Sequence, residues 1–151
     1  MELFAIAHEY GHHDLDHGRG LEGDPHKEEF DADQFALKVC YEIERVPFIF
    51  SNPYLASGAG GVVLLLALET LRAVESLFIV NVRDGFSHPD VFSRIGRFDS
   101  VAVLKPDEFR VLKSFRTVGQ RIMATVHELL ISSLGSVPSS ARAELTQVLQ
   151  K

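Results

Sequence analysis

The sequence predicts a mainly α-helical protein, on three observations. Apolar residues recur at helical spacing in successive segments, the stretches between them are rich in glycine, proline and aspartate, and alternation suited to a strand is confined to 79–82 and 101–104. With 151 residues and 46% hydrophobic content, the chain fits one globular domain able to bury its own core.

The elements follow in order. Residues 2–14 place Leu3, Phe4, Ala7, Tyr10 and Gly11 around two histidines at helical spacing, so a helix is expected there. Residues 15–27 shift to Asp, His, Gly and Pro and form a connection, with Gly23, Asp24 and Pro25 read as turn residues. Helical spacing resumes over 28–44 through Phe30, Phe35, Ala36, Val39, Cys40 and Ile43, with acids in the first turn where the helix dipole favours them. A loop carrying Pro47, Asn52 and Pro53 leads to an apolar helix over 59–80, the natural backing for the first two. Its Glu69, Arg72 and Glu75 share one solvated side.

Residues 83–88 form a loop, and Pro89 suits the first turn of a short helix through Val91, Phe92 and Ile95. A long amphipathic helix over 107–134 carries Phe109, Leu112, Phe115, Val118, Ile122, Val126 and Leu129 on one stripe, ended by Gly135. Ser139 or Ser140 caps a last short helix ending near Gln150. The uncharged run from Tyr54 to Leu68 covers 15 residues, short of the roughly 20 that cross a bilayer, so a core helix is expected there.

Composition narrows the function. Fifteen basic against 21 acidic side chains give a net charge of −6, which argues against nucleic acid as a partner. The single cysteine, Cys40, excludes an intramolecular disulfide, and the chain opens without a secretory signal; together these point to a cytoplasmic protein, with membrane association as the alternative. Cys40 is read as a small core residue.

The chemistry sits near the N-terminus, in His8-Glu9-Tyr10-Gly11-His12. Two histidines four apart on a helix share a face at about 5–6 Å between Cβ atoms, a span one tetrahedral metal can bridge. Glu9 lies beside that face, where its carboxylate reaches a metal-polarised water as general base. A catalytic zinc site of this type needs a third protein ligand and keeps one position open. Glu29-Phe30-Asp31-Ala32-Asp33 supplies it: Glu29 ligates, while Asp33, four residues on, accepts the outer ring N–H of a ligand histidine. Ala32 permits close helix packing, and Gly11 leaves room for a neighbouring element at a cost of about 1 kcal/mol in helix propensity. His13 and His17 do not fit the metzincin spacing and are assigned to a loop; Tyr10 is assigned to packing. His127-Glu128 begins a second such motif but lacks the closing histidine.

HExxH followed on a later helix by Glu-x-x-Ala-Asp resembles the gluzincin metallopeptidases. Within them the chain looks most like the CAAX-prenyl-protease-like peptidases, because Ser87-His88-Pro89 with Arg94 repeats their Ser/Thr-His-Pro-x4-Arg element. The resemblance spans residues 8–95. It implies a zincin-like helical domain with one Zn(II) per chain, a protein or peptide substrate, His88 stabilising an oxyanion and Arg94 ordering the ligand helix. The domain then divides into a zinc-site core, 1–95, and C-terminal helices, 96–151. In two respects the sequence departs from that family. A sheet usually precedes the HExxH helix, whereas only Met1 does here, which leaves a fragment, a misassigned start or a reduced form open. The sixteen residues between His12 and Glu29 are also few for the prenyl-protease group and leave room for other small gluzincins. The function expected is metal-assisted peptide hydrolysis; the alternative is a zinc-binding regulatory or interaction module derived from a peptidase.

Overall fold

The computed structural model describes residues 1–18, 24–46, 52–78, 89–101 and 106–138, with side chains from 110 onward in the last segment. Among the described residues the protein is all helical: α1 (Glu2–Asp14), α2 (Pro25–Arg45), α3 (Pro53–Ala56), α4 (Ala59–Phe78), α5 (Val91–Arg97), a 3₁₀ turn (Phe98–Ser100) and α6 (Pro106–Gly135). None of these helices is long and apolar enough to cross a membrane.

α1 and α2 pack side by side because small residues line the seam. Gly11 is buried, and a Cβ placed on it would lie 3.2 Å from Phe35 Cβ and 3.3 Å from Ala32 Cα. Ala32 and Ala36 are fully buried on the facing side of α2. Gly11 therefore offsets its helix-propensity cost by letting two backbones approach.

α2 begins three residues earlier than the sequence spacing suggests. Asp24, taken for a turn residue, is the N-cap and accepts from His26 N–H, with Pro25 in the first helical turn. The preset φ of proline and its missing donor suit that place. The same pairing recurs at Asn52 and Pro53, which build the short α3 where a plain loop was expected; Asn52 accepts from Tyr54 N–H. Gly58, at φ 72°, turns the chain from α3 into α4, and a Cβ there would stand 2.4 Å from Leu37 Cδ2.

The core is built where α1, α2, α4 and α5 converge, around Phe4, Leu37, Cys40, Val62, Leu65 and Phe98. Cys40 is buried as expected, and burial pushes its thiol up. Gly61 of α4 gives way to the Phe4 ring: a Cβ would be 2.6 Å from Phe4 Cε2. α5 starts at Val91 rather than at Pro89, because Asp90 is the cap and accepts from Ser93 N–H at 2.9 Å. Val91 and Ile95 are buried, whereas Phe92 is 73% exposed.

α6 docks on α4 through a face that keeps Leu112 of the expected apolar stripe but turns its C-terminal members outward. Leu112, Arg116 and Gly119 are buried, and His127 Nδ1 lies 3.2 Å from Thr70 Oγ1 of α4. Val118, Ile122 and Leu129 of the expected core stripe are 47%, 57% and 62% exposed. Gly119 decides the matter, since it admits α4 to within contact at Ala59 and Val63. Arg116 is tolerated inside because its guanidinium donates to Ser57 O at 2.7 Å and to Asp99. Of the strand candidates, Val101 is in no strand, while 79–82 and 102–104 lie outside the described residues, as does the helix expected after Ser139.

Candidate metal centre

One turn of α1 separates His8 from His12, and their rings meet edge to face with Nε2 atoms 3.2 Å apart. Across the seam, Glu29 in the second turn of α2 brings Oε2 to 3.6 Å from His8 Nε2 and Oε1 to 3.5 Å from His12 Nε2. The two contacts fall on different oxygens of one carboxylate, which faces the pair of ring nitrogens. A tetrahedral zinc with bonds of about 2.0–2.2 Å sets its ligand atoms roughly 3.3 Å apart. The separations here are of that order, and among the described residues His8, His12 and Glu29 form a group that could hold a metal ion.

The surroundings hold these donors in place. Asp33, one turn beyond Glu29 and 3% exposed, brings Oδ1 to 3.0 Å from His8 Nδ1. That approach is oblique, so the buried Nδ1 has no aligned hydrogen-bond partner. Arg94 of α5 donates from Nε to Asp33 Oδ2 and from Nη2 to Asp33 Oδ1, each at 2.7 Å. Its Nη1 lies 3.0 Å from Glu29 Oε2, leaving Oε1 turned to His12. Burial pushes the Asp33 carboxyl up, but the hydrogen bonds from Arg94, with the nearby His8, outweigh it and hold the group below the usual carboxylate range. Burial, then the neighbouring His8, lowers the pKa of His12, which favours the neutral imidazole a metal requires. Glu29, Asp33 and Arg94 together carry one net negative charge, which a divalent cation offsets.

Glu9 is exposed and lines the same cavity as the three donors, a space of about 340 Å³ walled by Phe4, Leu64, Leu65 and Leu68. Arg72, placed on the solvated side by sequence spacing, is half-buried and also lines this cavity. His88 lies outside the described residues. No family model, curated protein or solved structure matches the chain.

Of the two histidines assigned to a loop, His17 is in the turn after α1 and His13 is not. His13 is in the last turn of α1, exposed, with its ring stacked on Tyr10. His17 lies beyond the helix, but its Nδ1 is 3.0 Å from His12 Nδ1. Metzincin spacing did not pick it out; the signal it left was Asp16-His17-Gly18 directly after a helix end, a sequence that tolerates left-handed backbone. Tyr10 packs against Phe35 and is 59% exposed, away from the three donors. His127 serves the α4–α6 contact.

Proposed function

We propose that the protein is a zinc-dependent peptidase of gluzincin type. The observation that carries this reading is the grouping of His8, His12 and Glu29, with Nε2 atoms 3.2 Å apart and the Glu29 carboxylate reaching one by Oε2 at 3.6 Å and the other by Oε1 at 3.5 Å, opening on a cavity that Glu9 shares. Zinc bound there supplies a Lewis acid that polarises a peptide carbonyl and acidifies a water. His8, His12 and Glu29 would hold it, leaving a position open towards the cavity. Glu9, beside the ligand face, takes a proton from the attacking water and passes it to the leaving amine. Asp33 and Arg94 keep the ligand set in register, and the leucines of α4 exclude water from one side of the cavity. From the resemblance to the prenyl-protease-like family, His88 is assigned to the oxyanion.

A second reading, a zinc-binding regulatory module, is favoured by one observation. Among the described residues there is no strand, and so no sheet edge with which an extended substrate could pair.

Zinc content and peptide hydrolysis of the wild type, Glu9→Gln and Glu29→Ala, purified without added metal, separate these readings. The peptidase reading expects one zinc per chain in the wild type and in Glu9→Gln, loss of zinc in Glu29→Ala, and hydrolysis in the wild type alone. Zinc bound as expected but no hydrolysis of any peptide in a degenerate library would establish the regulatory module. Absence of zinc from all three, even after zinc is added back, would overturn both.

A further inference from the structure

We propose that His17 is a positioning residue for the metal ligand His12, accepting the His12 Nδ1 proton and so fixing which nitrogen faces the metal. This rests on the zinc reading above. The placement of His17 comes from the way α1 ends. His17 N–H donates to His12 O at 3.0 Å and Asp16 N–H to His13 O at 3.3 Å, the paired bonds of a Schellman end. That end needs a left-handed residue, and Asp16 supplies it at φ 55°. Gly18 follows at φ 73° and donates its N–H to Glu28 Oε1 at 3.2 Å, tying the turn to the first turn of α2.

The chain is thereby folded back so that the His17 ring stands over His12, with centroids 5.1 Å apart and planes at 70°. Two ring nitrogens 3.0 Å apart share one proton. His12 Nε2 faces His8 and Glu29, so to ligate it must be bare, and the His12 proton then sits on Nδ1. His17 Nδ1 is left as the acceptor, with its own proton on Nε2. The two ligand histidines therefore have different outer partners: a carboxylate, Asp33, for His8 and a neutral imidazole for His12. A neutral acceptor orients His12 without adding a third buried negative charge beside Glu29 and Asp33.

The test measures zinc affinity by chelator competition, and urea midpoints of the metal-free chains, for the wild type, His17→Ala, His17→Gln, Asp16→Gly and Glu29→Ala. Loss of an outer partner of this kind weakens metal binding about 10- to 100-fold. His17→Ala is expected to show that loss with the metal-free midpoint unchanged. His17→Gln, whose amide oxygen accepts a hydrogen bond, recovers most of the affinity, and Asp16→Gly, which suits the left-handed turn, keeps it. Wild-type affinity in His17→Ala, with zinc lost in Glu29→Ala, overturns the role of His17 and leaves the metal centre standing. A weakened His17→Ala that loses its metal-free midpoint and is not rescued by glutamine also overturns it, in favour of a structural role. No zinc in the wild type overturns both readings.

Discussion

Arg94 forks onto Asp33 from a helix 61 residues away in sequence, with two hydrogen bonds of 2.7 Å, and its remaining nitrogen reaches Glu29 Oε2 at 3.0 Å. One guanidinium thus orders both Glu29 and the carboxylate behind His8. Both partners in the fork are buried, Arg94 at 8% and Asp33 at 3% exposure. Breaking a buried pair from one side leaves the other charge in the interior, a cost of about 3–5 kcal/mol.

Arg94→Ala should accordingly lose about that much unfolding free energy in urea without metal. Arg94→Lys should fall between, because an ammonium cannot make the planar two-point contact. Added zinc should restore part of the loss in Arg94→Ala, since a dication offsets the same carboxylates. An Arg94→Ala protein as stable as the wild type would mean that the fork does not hold α5 to α2.

Much of this centre was legible in the sequence, for a physical reason. His8, His12, Glu29 and Asp33 each sit one helical turn from a partner, so residue spacing alone places them on shared faces. The start of α2 was not legible, because Asp24-Pro25 serves equally as a turn or as a cap with its first helical residue. His17 was missed because its position depends on the left-handed conformation of Asp16. The docking face of α6 was missed because counting apolar residues selects Val118, Ile122 and Leu129. The helix is instead seated by a glycine and a buried arginine, which apolar periodicity does not weigh.

Asp99 should contribute, alongside Asp33, to the acid sensitivity of the fold. Burial pushes its carboxyl up, but hydrogen bonds from Lys113 and Arg116 outweigh this and hold it below the usual range. A carboxyl depressed on folding contributes stability above its unfolded value, about 3.9, and that contribution is lost as pH falls through the folded value. Urea midpoints measured from pH 7 downward should therefore decline below about pH 4. Asp99→Asn should start lower at neutral pH and decline less steeply across that acid window. Parallel curves for the two proteins would assign the acid transition to other carboxylates.

Gly11 separates stability from metal binding. Gly11→Ala gains about 1 kcal/mol of helix propensity, but its methyl meets Ala32 Cα at 3.3 Å and Phe35 Cβ at 3.2 Å, neither of them the free end of a flexible chain. α2 must then move outward by a few tenths of an ångström, carrying Glu29 with it. Binding sites tolerate misplacement of only about 0.5 Å. The variant should keep its metal-free unfolding free energy to within about 1 kcal/mol while binding zinc roughly tenfold more weakly. Unchanged zinc affinity would show that the seam accommodates a methyl without displacing the third donor.

The orientation of α6 makes opposite predictions for neighbouring residues. Gly119 faces α4, and a Cβ there would lie 3.3 Å from Val63 Cγ2 and 3.7 Å from Ala59 O. Valine adds two further methyls to that contact, and overpacking of this kind costs about 1–3 kcal/mol. Ile122 and Leu129, although large and apolar, stand 57% and 62% exposed, so Ile122→Ser and Leu129→Ser should each change stability by no more than about 0.5 kcal/mol. Thermal unfolding of the three variants gives the comparison. If the serine variants were the destabilised ones and Gly119→Val were neutral, α6 would be packed on its apolar stripe, and the Arg116 contacts to Ser57 and Asp99 could not form as described.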